Sequence, residues 1–323
     1  MKLTQVTGIA LALYTANIWA VDATSSPADK SSGELLSLGT ALAKGDVATL
    51  EQKAINAAAG ELQSATRSYL EKLFPTVELS LGLGDPSKPT AGVLVVAPLS
   101  DPKDVKNTFF TQGSVYHFDN RTTVNLGLGY RRLEWDNKLL LGVNGFYDHE
   151  FPYDHGRTSL GLEARSTVGE INFNQYWGVT GWRTAKNNYE ERALGGTDLE
   201  VGVPLPYMNW AKVYVRGFIW DSVDGVKDLK GNDLSFRAQV PILPGLAIEA
   251  GHRTYTTIKD EDFMRITYNV MDINAVKPTK PWFSETAYQL STMEDRRYEK
   301  VRRENIIVKQ KRRSGFSVNV VGF

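Results

Sequence analysis

The sequence contains no cysteine, which excludes disulfides, C-x-x-C redox motifs and thiolate zinc sites. It carries no charge excess: 37 lysines and arginines stand against 37 aspartates and glutamates. No single-signed field therefore points to nucleic acid. It also lacks an apolar run of the roughly 18 residues that a spanning helix needs, and its mean hydropathy is -0.29. That removes a helical inner-membrane protein and leaves a β-barrel open, because barrel strands are apolar on one face only.

What is present starts with an export signal. Lys2 is the only charge before Asp22, residues 6–15 form a short, mostly apolar core, and Ala20 or Ala23 closes a candidate cleavage site. A core of about ten residues suits a signal peptide and is too short to cross a bilayer. Residues 1–23 are read as that signal. A Ser/Pro-rich linker follows at 25–33. Apolar residues then recur at helical spacing from Leu35 to Leu70, with a break at Gly45-Asp46 and a stop at Pro75. Spacing alone leaves two readings of the second helix, about 48–74: it packs within its own domain, or it is a periplasmic pre-domain that docks at a barrel's base; under the second, residues 24–76 are a periplasmic linker and helical pre-domain.

Between 77 and 271 the period changes to two. In residues 122–131, Val124, Leu126, Leu128 and Tyr130 share one face while Asn125, Gly127, Gly129 and Arg131 share the other; Leu160, Leu162 and Ala164 likewise oppose Ser159, Gly161, Glu163 and Arg165. Side chains alternate across a strand, so each strand has an oily and a wet face. Alternation and turn signals predict about twelve strands, at 77–84, 91–99, 107–118, 121–133, 137–148, 157–168, 170–182, 194–204, 210–221, 232–242, 245–256 and 262–271. Most approach the roughly 9–11 residues of a tilted membrane strand.

The wet faces decide between a soluble sandwich and a membrane barrel. They carry Arg131, Glu163, Arg165, Asp198, Glu200, Lys212, Arg216, Arg237, Glu249, Arg253 and Arg265. A dry core would charge several kcal/mol for each before pairing, whereas a lumen accepts charges of both signs. Aromatics gather near strand ends at Trp135, Tyr147, Phe151, Trp182, Tyr207, Trp210 and Trp220, as an interfacial girdle requires. The predicted fold is an all-β transmembrane antiparallel barrel with outer loops at 148–157, 183–193 and 221–231.

After 271 the pattern breaks. Residues 277–281 are a Pro/Lys linker, Ser284 caps a predicted helix over about 284–301, and Ile306, Ile307 and Val308 form an extended run among basic residues. Residues 272–323 are read as a C-terminal linker.

Catalytic, cofactor and metal chemistry find little footing. Asp148, His149, Glu150, Asp154 and His155 are the richest ligand cluster, but Pro152 and Gly156 mark a turn, so they are read as charged turn residues. His117 and His252 have no G-x-S-x-G turn beside them. Gly82-Leu83-Gly84 and Gly127-Leu128-Gly129 are too short for a phosphate loop. No enzyme activity, cofactor or metal is expected.

The motifs GLGYRR (127–132), LLLGVNGFYDHE (139–150), HGRTSLGLEA (155–164) and GVTGWR (178–183) resemble, in order and spacing, the β-domain of the intimin/invasin family, the inverse autotransporters. RRYEKVRRENIIV (296–308) resembles that family's post-barrel stretch, and AGELQSATRSYLEKL (59–73) its periplasmic lead-in. The resemblance covers about residues 48–313. It implies twelve strands with both ends periplasmic, a linker with a helix (residues 272–323 here) that turns back to thread the pore, and emergence outside to carry immunoglobulin-like and lectin-like passengers for adhesion. Two departures stand out: no LysM-like peptidoglycan-binding module is visible, and the sequence reaches only Phe323, where a passenger would start, so the passenger is expected to be absent or truncated. The expected partners are outer-membrane lipid and lipopolysaccharide, the barrel assembly machinery, periplasmic chaperones and, through a passenger, a host or surface receptor. A porin-like channel without a translocated passenger is the alternative.

Overall fold

The computed structural model describes residues 73–83, 89–241, 243–271, 282–313 and the backbone of 318–321. The expected signal peptide, nearly all of the helical pre-domain and the linker at 277–281 lie outside the described residues.

Twelve strands close into an antiparallel barrel: β1 (Thr76–Leu83), β2 (Thr90–Pro98), β3 (Asn107–Phe118), β4 (Arg121–Glu134), β5 (Leu139–Phe151), β6 (His155–Ser166), β7 (Gly169–Gly178), β10 (Gly195–Leu205), β11 (Met208–Asp221), β12 (Leu229–Gln239), β13 (Leu246–Tyr255) and β14 (Glu261–Asn269). Between β7 and β10 the chain makes β8 (Arg183–Thr184) and β9 (Tyr189–Ala193). These form a second, four-stranded sheet with β15 (Lys309–Arg313) and β16 (Val318–Val321). The barrel closes where β1 pairs with β14, Glu78 opposite Asn269 and Leu83 opposite Met264. Thr76 and Asn269 therefore lie on one rim, here the near rim; the β8–β9 hairpin lies on the opposite, far rim.

The period of two becomes an inside-out protein. Leu126, Leu128, Leu160, Leu162, Leu199, Val201, Val215 and Leu234 are exposed on the outer wall, while Asn125, Arg131, Asn144, Glu163, Arg165, Asn172 and Asn174 are buried in the lumen. Full closure leaves no unpaired edge to meet hydrocarbon.

The lumen is filled by residues 293–309 of the same chain, and they are not helical. The predicted helix over 284–301 is corrected to an irregular, extended path with a single 3-10 turn at Glu294–Arg296. A helix would consume its own carbonyls four residues on. Here the wall takes them: Thr76, Arg131, Arg157, Arg165, Asn174 and Asn125 donate to carbonyl oxygens between Arg297 and Ile306. The predicted outer loop at 148–157 is also corrected. It is strand on both sides of a turn confined to 152–154, because the alternation of β5 and β6 continues through residues whose polarity suggested a loop.

Three apolar contacts space the threaded chain. Met293 packs with Leu133 and Leu140, Val301 with Leu94, Val96, Phe110 and Phe146, and Val308 with Tyr176, Leu194, Phe218, Trp220 and Leu229. Two wall glycines make the middle contact possible. A Cβ on Gly127 would stand 2.3 Å from the Phe146 ring and one on Gly129 2.2 Å from the Phe110 ring. Only glycine lets these rings lie flat against the wall and leave room for Val301.

Candidate functional site

The site is the lumen wall together with the segment it holds. β4 and β6 present three arginines inward, Arg131 from the first and Arg157 and Arg165 from the second. Arg131 pairs with Glu163 at 2.5 Å and donates to the carbonyls of Arg297 and Glu299 at 2.7 and 2.6 Å. Arg157 pairs with Asp148 at 2.8 Å and donates to the carbonyls of Glu304 and Ile306. Arg165 pairs with Glu163 at 2.8 Å and donates to the Lys300 carbonyl. Each guanidinium thus spends one edge on a wall carboxylate and another on the backbone of the threaded chain, a use its five fixed donors suit. This grip addresses main chain and is indifferent to side-chain identity.

A second set reads side chains. Arg302 bonds Glu200 at 2.5 Å and Glu249 at 3.3 Å; Arg303 bonds Asp148 at 2.7 Å; Glu304 accepts from Arg216 at 3.3 Å; Arg296 bonds Glu170 at 3.1 Å; Lys300 pairs with Glu78. Arg303 also lies 4.3 Å from the Phe146 ring and Arg131 4.4 Å from that of Phe110, within cation–π range.

Of the residues singled out from the sequence, Arg131, Arg165, Glu200, Arg216 and Glu249 touch the threaded segment. Glu163, Arg237, Arg253 and Lys212 are paired within the wall, the last to Glu170 at 2.9 Å. Asp198 accepts from Asn174 and from the Tyr176 hydroxyl. Arg265 borders a polar cavity of about 180 Å³ left beside residues 300–306. Sequence reasoning missed Asp148, Arg157, Glu150, Glu170 and Glu78. For Asp148, Glu150 and Arg157 the signal existed: they share the parity of Asn144 and Ser159, and treating them as loop hid it.

The aromatics divide. Tyr147 is exposed on the outer wall and Trp135 at the near-rim turn, as are Phe109 and Trp177, which sequence reasoning overlooked. Trp220 is a correction: it is fully buried in the lumen, 5.1 Å from Tyr176. Its parity is that of Arg216 and Phe218, so a strict period of two places it inside. Trp182 lies outside the barrel strands with Arg312 4.1 Å over its ring, and Trp210 meets Trp282 edge-on at 5.5 Å.

At the far mouth the emerging chain is latched. β15 pairs with β9, Lys309 opposite Ala193 and Arg313 opposite Tyr189. Arg121 bridges Glu150 and Glu191 at 2.8 Å each, Lys309 pairs with Glu150, and Lys311 with Glu191 at 3.1 Å. Glu150, His155 and Glu191 bring ligand atoms within 4.8 Å of one another, but these three cationic side chains already neutralise both carboxylates. Burial works to raise the Glu191 carboxyl; the His155 ring at 3.5 Å and the charges of Arg121 and Lys311 outweigh it and hold the group at about 2, below its ordinary 4.5.

A depressed carboxyl stabilises the docked state above its free pKa and loses that contribution as pH falls toward the bound value. Of the groups that depress Glu191 only Lys311 belongs to the emerging chain, since His155 and Arg121 stay beside it on the barrel, so the docked latch gains the Lys311 pair at neutral pH and loses it as pH falls and Glu191 protonates toward about 2. A nitroxide on Arg313→Cys should report a broad spectrum at pH 7 that sharpens across this window. Glu191→Gln should reduce the acid-dependent part of that change, leaving the share carried by Glu150 on Lys309 and Glu190 on Arg312.

The residue pattern that defines "Inverse autotransporter, beta-domain" matches residues 29–305. The chain belongs to this family. It is similar to the "Putative attaching and effacing protein homolog" of Escherichia coli (strain K12), 33% identical over 102 residues, or 31% of this chain and 34% of that protein. It is also similar to the "Inverse autotransporter adhesin YeeJ" of the same organism, 30% identical over 153 residues, 46% of this chain and 6% of the relative. The matches thus span about a third or less of these relatives. A solved chain described as "Unveiling the Mechanism Behind the in-meso Crystallization of Membrane Proteins" superposes with a TM-score of 0.61 at 21% identity, covering 73% of this chain and 99% of that one. It shares the fold. This inverse autotransporter β-domain is a twelve-stranded outer-membrane barrel of the translocator and anchor class.

Proposed function

We propose that this barrel passes its own C-terminal segment to the cell surface and then keeps that segment as its plug. The observation that carries this reading is the path of residues 293–309. They enter at the rim that holds both barrel ends, beside Asn137, and leave at the opposite rim, beside Ala193. A wet lumen lets polar backbone cross without meeting hydrocarbon, and the arginine grip on main-chain carbonyls accepts successive residues as the chain moves. The near rim is then periplasmic and the far rim external. Adhesion, the role named for one relative, is assigned to a passenger carried beyond β15, with a host or other surface as receptor. Assembly machinery and chaperones would deliver the barrel. The occupied lumen weighs against a porin-like channel.

Because the protein lacks cysteine, single-cysteine labelling tests the orientation directly. A membrane-impermeant maleimide should label Arg313→Cys on intact cells and Trp135→Cys only after permeabilisation. The reverse pattern would overturn the export reading.

A further inference from the structure

Before entering the lumen, the chain follows the near rim. The indole N–H of Trp210 donates to the Trp282 carbonyl. Ser284 N–H donates to the Tyr207 carbonyl, and Tyr207 N–H to the Ala287 carbonyl. The Thr167 hydroxyl donates to the Gln289 carbonyl and accepts from Ser291 N–H. Met293 N–H donates to the Asn137 carbonyl. The segment thus crosses three consecutive near-rim turns, β10–β11, β6–β7 and β4–β5, before it turns inward.

We propose that residues 282–292 are a rim strap seated in the phospholipid interface of the leaflet at the near rim. Three observations converge on that occupant. The strap WFSETAYQLST carries one charge, Glu285, whereas Glu294 to Arg297 are all charged and stand at the mouth of the lumen, Glu294 on Asn137, Arg296 on Glu170 and Arg297 on the carbonyls of Pro102 and Asp104. Composition switches where the surroundings would switch from lipid interface to ion-paired water. Trp282, Phe283, Tyr288 and Leu290 remain exposed, Phe283 at 67%, a concentration of apolar and amphipathic side chains that calls for a partner. Finally, the strap adjoins the exposed aromatics of the near-rim turns: Tyr207 is hydrogen-bonded to it and Trp135 lies two residues from Asn137, while Trp282 packs on Trp210, which has the inward parity of Lys212 and Tyr214. Aromatic rings with a polar edge favour the headgroup level. The rim bonds satisfy the carbonyls of Trp282, Ala287 and Gln289 and the amides of Ser284, Ser291 and Met293, which lowers the cost of seating this non-helical backbone beside lipid.

The strap would set where the chain enters the pore and prevent it from sliding, whichever way the C-terminal part is disposed. The inference rests on membrane insertion of the barrel with its near rim on the phospholipid, periplasmic side, as proposed above, and not on release of the C-terminal part. The test is depth measurement by nitroxide on Phe283→Cys, Tyr288→Cys and Leu290→Cys, refolded into vesicles of phosphatidylethanolamine and phosphatidylglycerol. Leu162→Cys is the lipid-facing reference and Arg313→Cys the aqueous one. Three sites keep the reading intact if one substitution impairs folding. Oxygen should relax the strap labels more effectively than a water-soluble nickel complex, by a ratio between the two references. Ratios equal to that of Arg313→Cys would place the strap in water and overturn the proposal. Labels immobile and shielded from both relaxants would mean that protein covers it, which overturns it equally.

Discussion

Asp148→Ala should destabilise the plugged barrel by about 3–5 kcal/mol, the cost of leaving buried cations without their counter-charge. Asp148 is fully buried and receives Arg157 at 2.8 Å, Arg303 at 2.7 Å and the Asn125 amide at 2.7 Å. It joins a wall arginine to a plug arginine through one carboxylate, and Arg157 in turn holds the carbonyls of Glu304 and Ile306. Removing the carboxylate therefore loosens both kinds of grip. Urea unfolding in vesicles, followed by tryptophan fluorescence, measures the loss. Adding Arg303→Met should recover part of it, since one orphaned charge disappears. A loss under about 1 kcal/mol, the scale of an exposed pair, would mean that water already solvates this junction and that the plug is held elsewhere.

Leu234→Arg should cost about 2–4 kcal/mol if its site is near the bilayer midplane, and Ser235→Arg clearly less. The two are neighbours on β12 and face opposite ways: Leu234 is 57% exposed on the outer wall, whereas Ser235 is 6% exposed and borders the cavity. Glu249 and Asp233 line the same cavity, so a cation at 235 finds carboxylates. Folded yield into vesicles, read by the heat-dependent shift in gel mobility, compares them at equal expression. Equal yields, or a worse one for Ser235→Arg, would reverse the assignment of which face meets lipid.

Much of the barrel was legible because hydrocarbon imposes a rule on every residue of every strand. Leu160 and Leu162 against Glu163 and Arg165 is a local pattern, and a period of two needs no knowledge of neighbours. The misreadings arose where local polarity competed with that rule. Asp148, Glu150 and His155 looked like a loop because charge and Pro152 signal one, yet the lumen is also polar, and there charge does not mark a strand's end. Trp220 looked like a girdle residue because it sits near a strand terminus, but its parity turns it toward Tyr176.

The sequence by itself determined the strand period, the charged inner face, the lack of an apolar run long enough for a spanning helix and the break in pattern, with many charges, after the last strand. These follow from composition and spacing, which the two solvents of a barrel read position by position. Only the tertiary structure decided the shape of that charged segment. Its carbonyls bond to Arg131, Arg157 and Arg165, more than a hundred residues away in sequence, and its side chains find Glu200, Asp148 and Glu78 across the closed wall. Helical spacing in residues 284–301 expressed what the chain would do alone. Inside the barrel, a wall lined with donors offers the backbone better partners than its own next turn.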